Sequence, residues 1–404
     1  MYENNIKKIL LIIIINLNFY DKNIFNIFKT YINFNKKKSN NSDIYNLKLF
    51  LNFCSNPNTK IRNFKIRRNP KISIISPIYN NEKFLMKFLK NLQYQNLKDI
   101  EIILVDDFSK DNSTKIIKQF QRKDKRIFLI KNRKNKGTFI ARNIGVLFSK
   151  GKYINIPDSD DILSKDILKN SYRLAKRFNY DIIRFNIVSK NGKIKFGSFV
   201  NSFKNRPIYQ PELSYFLFHQ NNNLILNDFY IYNKIIKREI FIKALNLINK
   251  YCLNLYMIYY EDGLINYFIH LSGKSFYFLK KVGYLYLRNS QSVTRKKNNE
   301  YKALHAKLLF IYLKFVFEYS KNNQYSKDSI NAISYSFRID FKDLNSLSKL
   351  NFNKDIFFYK NIIDTFLNCE FINKLSKKFI KNAKEILKRK SYKYFNKNIF
   401  YKNV

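Results

Sequence analysis

Between Lys71 and Val188 short β-branched runs alternate with amphipathic stretches, and this alternation restricts the fold more than any other feature of the chain. "KISIISPIY" (71–79), "DIEIILVDD" (99–107), "RIFLI" (126–130) and "GKYINI" (151–156) have the length and apolar texture of buried strands. The intervening stretches have helical spacing. In "NEKFLMKFLKNLQYQN" (81–96), Phe84, Leu85, Phe88, Leu89 and Leu92 share one face. "FSKDNSTKIIKQFQ" (108–121) opens with turn and capping residues, and "GTFIARNIGVLFS" (137–149) carries small residues on one side. A further helix, "DILKNSYRLAKRF" (166–178), precedes a further strand, "YDIIRFNIV" (180–188). Strands and helices in this order predict an α/β fold with a mainly parallel sheet flanked by helices.

In such a sheet, ligands bind beyond the carboxyl ends of the strands. Two of those ends are acidic: "LVDD" (104–107) and "INIPDSDD" (154–161). The concentration stands out because the chain has 29 Asp and Glu against 76 Lys and Arg, a formal charge of +47. Carboxylates there suit a donor group on a base or sugar, or a hard divalent cation. Mg²⁺ or Mn²⁺ takes one or two carboxylates and completes its shell with phosphate oxygens and water. In an extended Asp-Ser-Asp, Asp158 and Asp160 point the same way, which suits a nucleoside diphosphate held through a metal. The same residues also read as a solvated turn, with Asp161 capping a helix that starts in "DDILSKDIL".

The charge has two readings. It suits a nucleic-acid or anionic-membrane partner, but Lys, Asn, Ile, Tyr and Phe are abundant together, as AT-rich codon usage produces, and the Lys are spread along the chain. No zinc finger, RNP-like aromatic motif or compact basic block is present, so no specific nucleic acid is expected. The Cys residues (Cys54, Cys252, Cys369) and the His residues (His219, His270, His305) are too scattered for a disulfide framework or a zinc site. Lys7 and Lys8 precede "ILLIIII" (9–15), which reads as an uncleaved anchor or signal, or as a packed segment. Residues 284–404 contain neither Gly nor Pro and are expected to be mostly helical. Leu304, Leu308, Ile311 and Phe315 form one apolar stripe there. Ile372, Leu375, Phe379, Ala383 and Ile386 form a second, opposite Lys377, Lys381, Lys384 and Lys388. The expected organisation is an apolar run and Asn/Lys-rich linker (1–70), an α/β domain (71–295, with halves 71–161 and 162–295) and a basic helical region (296–404). "NPNTK" (56–60) is read as part of the linker.

From about Lys71 to Arg295 the order of motifs resembles family 2 glycosyltransferases of the GT-A, Rossmann-like fold. "ISIISPIYNNEKFL" is similar to the family's opening strand and nucleotide loop, and "IEIILVDDFSKDNS" to its second strand and acidic turn. "NKGTFIARNIGVLFSKGKYINIPDSDD" resembles its central helix and D-x-D signature. "NKIIKREIF" (233–241), "YYEDGLINYFIHLSG" (259–273) and "YLYLRNSQSVTR" (284–295) resemble the segment leading to the acceptor region, the E-D helix and the following strand. The resemblance implies that Pro77 and Tyr79 line a nucleobase pocket with Glu82 close by, and that Asp106 accepts a hydrogen bond from the base. Arg142 lies near the donor. Asp158 contacts the ribose or donor sugar and shares the metal site with Asp160, which binds Mn²⁺ or Mg²⁺. Asp262 is the catalytic base, with Glu261 its neighbour and rival, and Arg288 and Thr294 close over the diphosphate. Two positions depart from the family pattern. Pro157 stands where an apolar or aromatic residue is commoner, and Phe108 where Gly or a small residue often lies.

These implications describe a metal-dependent, inverting glycosyltransferase that moves a sugar from a nucleotide sugar, UDP-linked by expectation, to a hydroxyl of a glycan or lipid-linked glycan. The competing classes are a nucleic-acid or polyanion binder and a catalytically silent scaffold of the same fold. An anionic membrane surface is a further expected partner, and the location is read as membrane-associated or cytoplasmic.

Overall fold

The computed structural model describes residues 59–61, 70–189, 206–210, 213, 220–221, 224–225, 230–249 and 261–287. Ten strands make one sheet. Its order is β1 (Thr59–Ile61), β4 (Ile127–Asn132), β3 (Ile100–Asp106), β2 (Ile72–Ile78), β5 (Tyr153–Asn155), β11 (Lys234–Lys237), β7 (Ile182–Ser189), β12 (Ser275–Tyr286) and β6 (Ile162–Leu163), with β8 (Ile208–Tyr209) also paired to β12. β9 (Gln220–Asn221) and β10 (Leu224–Ile225) pair antiparallel as a separate two-stranded sheet. β4, β3, β2 and β5 are mutually parallel, as are β7 and β12. β11 lies antiparallel between β5 and β7 and joins these two parallel sets.

Burial explains why these runs are strands. Every residue of β3, including Glu101, is buried, and only Pro77 of β2 is partly exposed. An apolar run of this kind is stable only between two layers. α1 (Glu82–Gln93) supplies Leu85, Phe88, Leu89 and Leu92 to one face, where they join Ile72, Ile74, Ile102 and Leu104. α2 (Ser113–Lys123) and α4 (Ile167–Phe178) complete that layer through Ile117, Ile167, Leu168 and Ala175. α3 (Thr138–Phe148) covers the other face beside α5 (Arg238–Asn249) and α6 (Glu261–Ser272). Gly145 sets its depth. A Cβ there would lie 2.2 Å from Ile75 Cγ2, so α3 seats directly on β2 and carries Arg142, one turn earlier, to the carboxyl end of the sheet.

The mainly parallel, helix-flanked sheet agrees with the pattern of runs. Three features do not follow from it. Thr59 and Lys60, read as linker, form β1 with Ile61 on the free edge of β4. Three residues are too few to show a period, and the pairing comes from the exposed edge rather than from local propensity. The buried run "KIIK" is the antiparallel β11, whose direction is fixed by its neighbours. β12 begins at Ser275, nine residues before the strand the sequence suggests, and two register shifts against β7 carry it through its Lys-rich middle. The 9–15 run, both C-terminal stripes, Arg288 and Thr294 lie outside the described residues. No helix among the described residues is long and apolar enough to cross a membrane.

Candidate active site

The strand order 4-3-2-5 reverses between β2 and β5. At such a switch point the loops leaving the two strands diverge and open a crevice at their carboxyl ends. The loop after β2 is "YNN" (79–81), and the loop after β5 is "IPDSDD" (156–161). Asn81 Nδ2 donates to Ser159 Oγ (2.7 Å), and that hydroxyl donates to the Pro77 carbonyl (3.3 Å), fastening one wall to the other.

Arg142 organises the crevice. Its guanidinium is 3% exposed and holds three carboxylates at once. It reaches Asp158 Oδ1 at 2.8 Å and Glu261 Oε1 at 3.1 Å, and it also binds Asp262 Oδ1. Asp158 belongs to the loop after β5, whereas Glu261 and Asp262 form the first turn of α6, 119 and 120 residues beyond Arg142. Lys234 adds a second positive charge that acts on Asp262. Burial raises the carboxyl pKa of both Glu261 and Asp262, with Arg142 opposing the rise. Arg142 is itself held more firmly protonated by the three acids, against its desolvation. The two E-D acids differ in access: the Glu261 side chain is 9% exposed, whereas that of Asp262 is 23% exposed.

Asp161 overturns the reading of a solvated helix cap. It is 2% exposed, and α4 starts six residues later at Ile167. Its carboxylate accepts hydrogen bonds from Tyr284 Oη (2.8 Å) and the Leu287 amide (2.7 Å). The Tyr284 hydroxyl in turn accepts from the Asp158 amide (3.1 Å). Tyr284 stacks on Tyr232 at 4.5 Å, so the aromatic pair and Asp161 together fix the loop that presents Asp158 and Asp160. Burial, then the charges of Asp160 and Asp158, push the Asp161 carboxyl up to about 8. Tyr284 and Asp161 support the loop; sequence reasoning read Asp161 only as a cap and did not single out Tyr284. The signal available was a third acid beside D-x-D and a tyrosine at an inward position of the last strand.

The implied base-binding residues divide. Tyr79 is 52% exposed at the crevice rim, with Pro77 beneath it on β2. Asp106 is fully buried. Its carboxylate accepts from the Ser109 amide (3.0 Å) and Thr114 Oγ1 (2.7 Å), with Lys131 Nζ 3.8 Å away, so its observed bonds hold the turn after β3. That turn puts Phe108 at φ 72° and leaves its ring partly exposed under Lys110 Nζ, 3.7 Å from the centroid. A left-handed phenylalanine is strained, which explains why Gly or a small residue suits this place. Glu82 accepts from the Asn112 amide (2.8 Å) while Asp111 accepts from the Glu82 amide (2.9 Å). This reciprocal pair caps α1 and α2 and ties the two rim loops together. Asp107, the second acid of "VDD", binds the amides of Lys136 and Gly137 and the Asn132 side chain, and so sets the loop that leads into α3.

The donor set suits a hard divalent cation in chemistry. Asp158 and Asp160 offer carboxylate oxygens on one loop, across a turn at residues 159–160 rather than the extended segment expected, and their charge already disfavours ionisation of Asp161. Such ions need only one or two protein carboxylates when phosphate oxygens supply the rest. Among the described residues no three His, Cys, Asp or Glu side chains form a cage that would hold a metal without such help.

The sequence model of the family "Glycosyl transferase family 2" matches residues 73–245. The glycosyltransferase GlyG of Streptococcus pneumoniae is 37% identical over 112 residues, covering 28% of this chain and 37% of GlyG. The uncharacterised glycosyltransferase EpsJ of Bacillus subtilis is 28% identical over 225 residues, covering 56% of this chain and 63% of EpsJ. The chain thus spans less than two thirds of the length of either relative. The crystal structure of S. aureus TarS 1-349 in complex with UDP-GlcNAc superposes with a TM-score of 0.56 at 17% identity, over 78% of this chain and 88% of that one. That likeness establishes a common GT-A fold.

Proposed function

We propose that this chain, whose residues 73–245 match the glycosyl transferase family 2 model, carries out metal-dependent, inverting transfer of a sugar from a UDP-sugar to an acceptor hydroxyl. The observation that carries this reading is the Arg142 cluster. One buried cation ties the D-x-D loop to the E-D helix across the crevice, which puts a donor-side and an acceptor-side carboxylate in one site. The UDP-GlcNAc bound by TarS, whose fold this chain shares, supports a uridine nucleotide as donor.

The roles follow from access and charge. Tyr79 and Pro77 form the base side of the crevice, and Asp106 acts through the Phe108–Ser109 turn. Asp158 faces the ribose or sugar, oriented by Arg142. Asp160, with Asp158 beside it, would hold Mn²⁺ or Mg²⁺. Such an ion offsets the charge that develops on the departing diphosphate. Asp262 takes the proton of the acceptor hydroxyl. The hydroxyl oxygen then bonds to the anomeric carbon from the face opposite the diphosphate, and the carbon–oxygen bond to UDP breaks. This single displacement inverts the anomeric centre. Burial raises the carboxyl pKa of Asp262, making it a better proton acceptor than an ordinary aspartate, while Arg142 keeps it ionised. Glu261, more deeply buried beside it, holds Arg142 in place. The acceptor is a glycan or lipid-linked glycan hydroxyl.

The test is calorimetric titration of UDP and UDP-sugars with and without Mn²⁺, followed by assay of UDP release with glycan acceptors. Mn²⁺-dependent UDP binding is expected. Absence of any nucleotide binding overturns the reading.

A further inference from the structure

At the amino ends of the parallel strands, opposite the Arg142 cluster, lies a cavity of about 570 Å³. α4 contributes Lys169, Arg173, Lys176 and Arg177 to its wall, and the entries to β2 and β3 contribute Lys71 and Lys98. The one acid among the lining residues, Asp99, is bound to Lys71 at 2.6 Å. The four α4 cations are every basic residue of that helix, and at spacings of four, seven and eight they fall on one face. α4 carries no acid to offset their repulsion. A concave wall of six cations and one neutralised carboxylate fits a phosphodiester anion.

Aromatic rings adjoin the cations at the same end of the sheet. Phe178, the last residue of α4, is 51% exposed, with the Arg177 guanidinium 5.2 Å from its centroid. It stacks on Tyr180 (5.6 Å), which stacks on Tyr277 (5.2 Å). Tyr209, 53% exposed, lies on β8 against the start of β12. Exposed aromatics beside clustered cations match a membrane interface, where rings sit at headgroup level and cations meet anionic lipid.

We propose that this end of the domain docks on an anionic membrane surface, with the α4 cavity taking a lipid phosphodiester headgroup and Phe178 and Tyr209 resting at the interface. A seven-residue strand spans about 23 Å, so a chain docked this way holds its crevice roughly that far above the surface and takes acceptors that project from it. The inference does not depend on the transfer reaction proposed above.

The experiment is sedimentation of the full chain with phosphatidylcholine vesicles, with and without phosphatidylglycerol. Three variants are compared with the unaltered chain. One joins Lys169→Gln, Arg173→Gln, Lys176→Gln and Arg177→Gln. A charge-matched control joins Lys87→Gln, Lys90→Gln, Lys115→Gln and Lys118→Gln on the exposed faces of α1 and α2. The third is Phe178→Ala, which leaves the charge unchanged. The α4 variant should lose at least about tenfold of its affinity for phosphatidylglycerol vesicles, and the control less than about twofold. Phe178→Ala should weaken vesicle binding with no change in its salt dependence. UDP affinity should be the same in all three, which separates failure of this site from failure of the crevice. Equal losses in the α4 and control variants would mean that net charge alone drives binding, and would overturn the proposal. So would α4-dependent binding of a soluble phosphodiester polymer alongside unchanged vesicle binding.

Discussion

Replacing Arg142 with Met tests the electrostatic logic of the crevice. The substitution keeps an unbranched apolar stem and removes the guanidinium bonded to Asp158, Glu261 and Asp262 in the hydrogen bonds described above. Breaking a buried ion pair by removing one partner costs about 3–5 kcal/mol, because the remaining charge is left uncompensated. The cost should depend on pH with a definite sign. Both E-D carboxyls already have folded pKa values above their ordinary 4.5 and 3.8, and loss of Arg142 raises them further. An acid with a raised folded pKa binds more protons folded than unfolded, so its contribution falls as pH rises through that window. Arg142→Met should therefore lose about 3–5 kcal/mol at pH 8 and markedly less at pH 5.5, where the acids can take up protons. The chain has no Trp, so urea unfolding is best followed by far-UV circular dichroism. A loss below about 1 kcal/mol at pH 8, or one that is the same at both pH values, would refute the reasoning.

Asp160→Asn should abolish Mn²⁺-dependent UDP binding with an unchanged circular dichroism spectrum; wild-type-like Mn²⁺-dependent affinity in calorimetry would remove Asp160 from the metal site. Gly145→Ala should cost about 1–3 kcal/mol in urea unfolding, because its Cβ would overlap Ile75 Cγ2 at 2.2 Å and push α3 off β2; a neutral result would mean that α3 can shift freely. The rate of transfer should fall as pH drops through the raised Asp262 pKa, placing the acid limb of the profile above that of an ordinary aspartate; a rate unchanged down to pH 4 would argue against a carboxylate base.

The parallel core was legible because its strands are buried on both faces and its helices on one, so each left its own period in the sequence. The D-x-D and E-D acids were legible as acids in a basic chain, placed at a strand end and at a helix start. The clamp joining them was not, since Arg142 meets Glu261 across 119 residues and nothing local marks that contact. Asp161 looked like a cap because Asp before an apolar pair usually is one. Its burial depends on Tyr284, which lies on the neighbouring strand but 123 residues later in the chain. Glu82 was implied as a base-side residue, but its carboxylate closes a reciprocal cap with a loop that propensity alone leaves open. β1 and β11 were hidden for a common reason: their existence and direction come from a neighbour's unpaired edge rather than from their own residues.

The central claim is that Asp262, and not Glu261, removes the acceptor proton. Single-turnover transfer from a bound UDP-sugar, measured in Asp262→Asn and Glu261→Gln, tests it directly. Loss of a general base costs about 10²- to 10⁴-fold, so the Asp262 variant should fall by that much while binding donor normally. The Glu261 variant should keep more activity, its defect arising through Arg142 and accompanied by lower stability. An inactive Glu261 variant beside an active Asp262 variant would contradict the assignment, and full activity in both would contradict the mechanism.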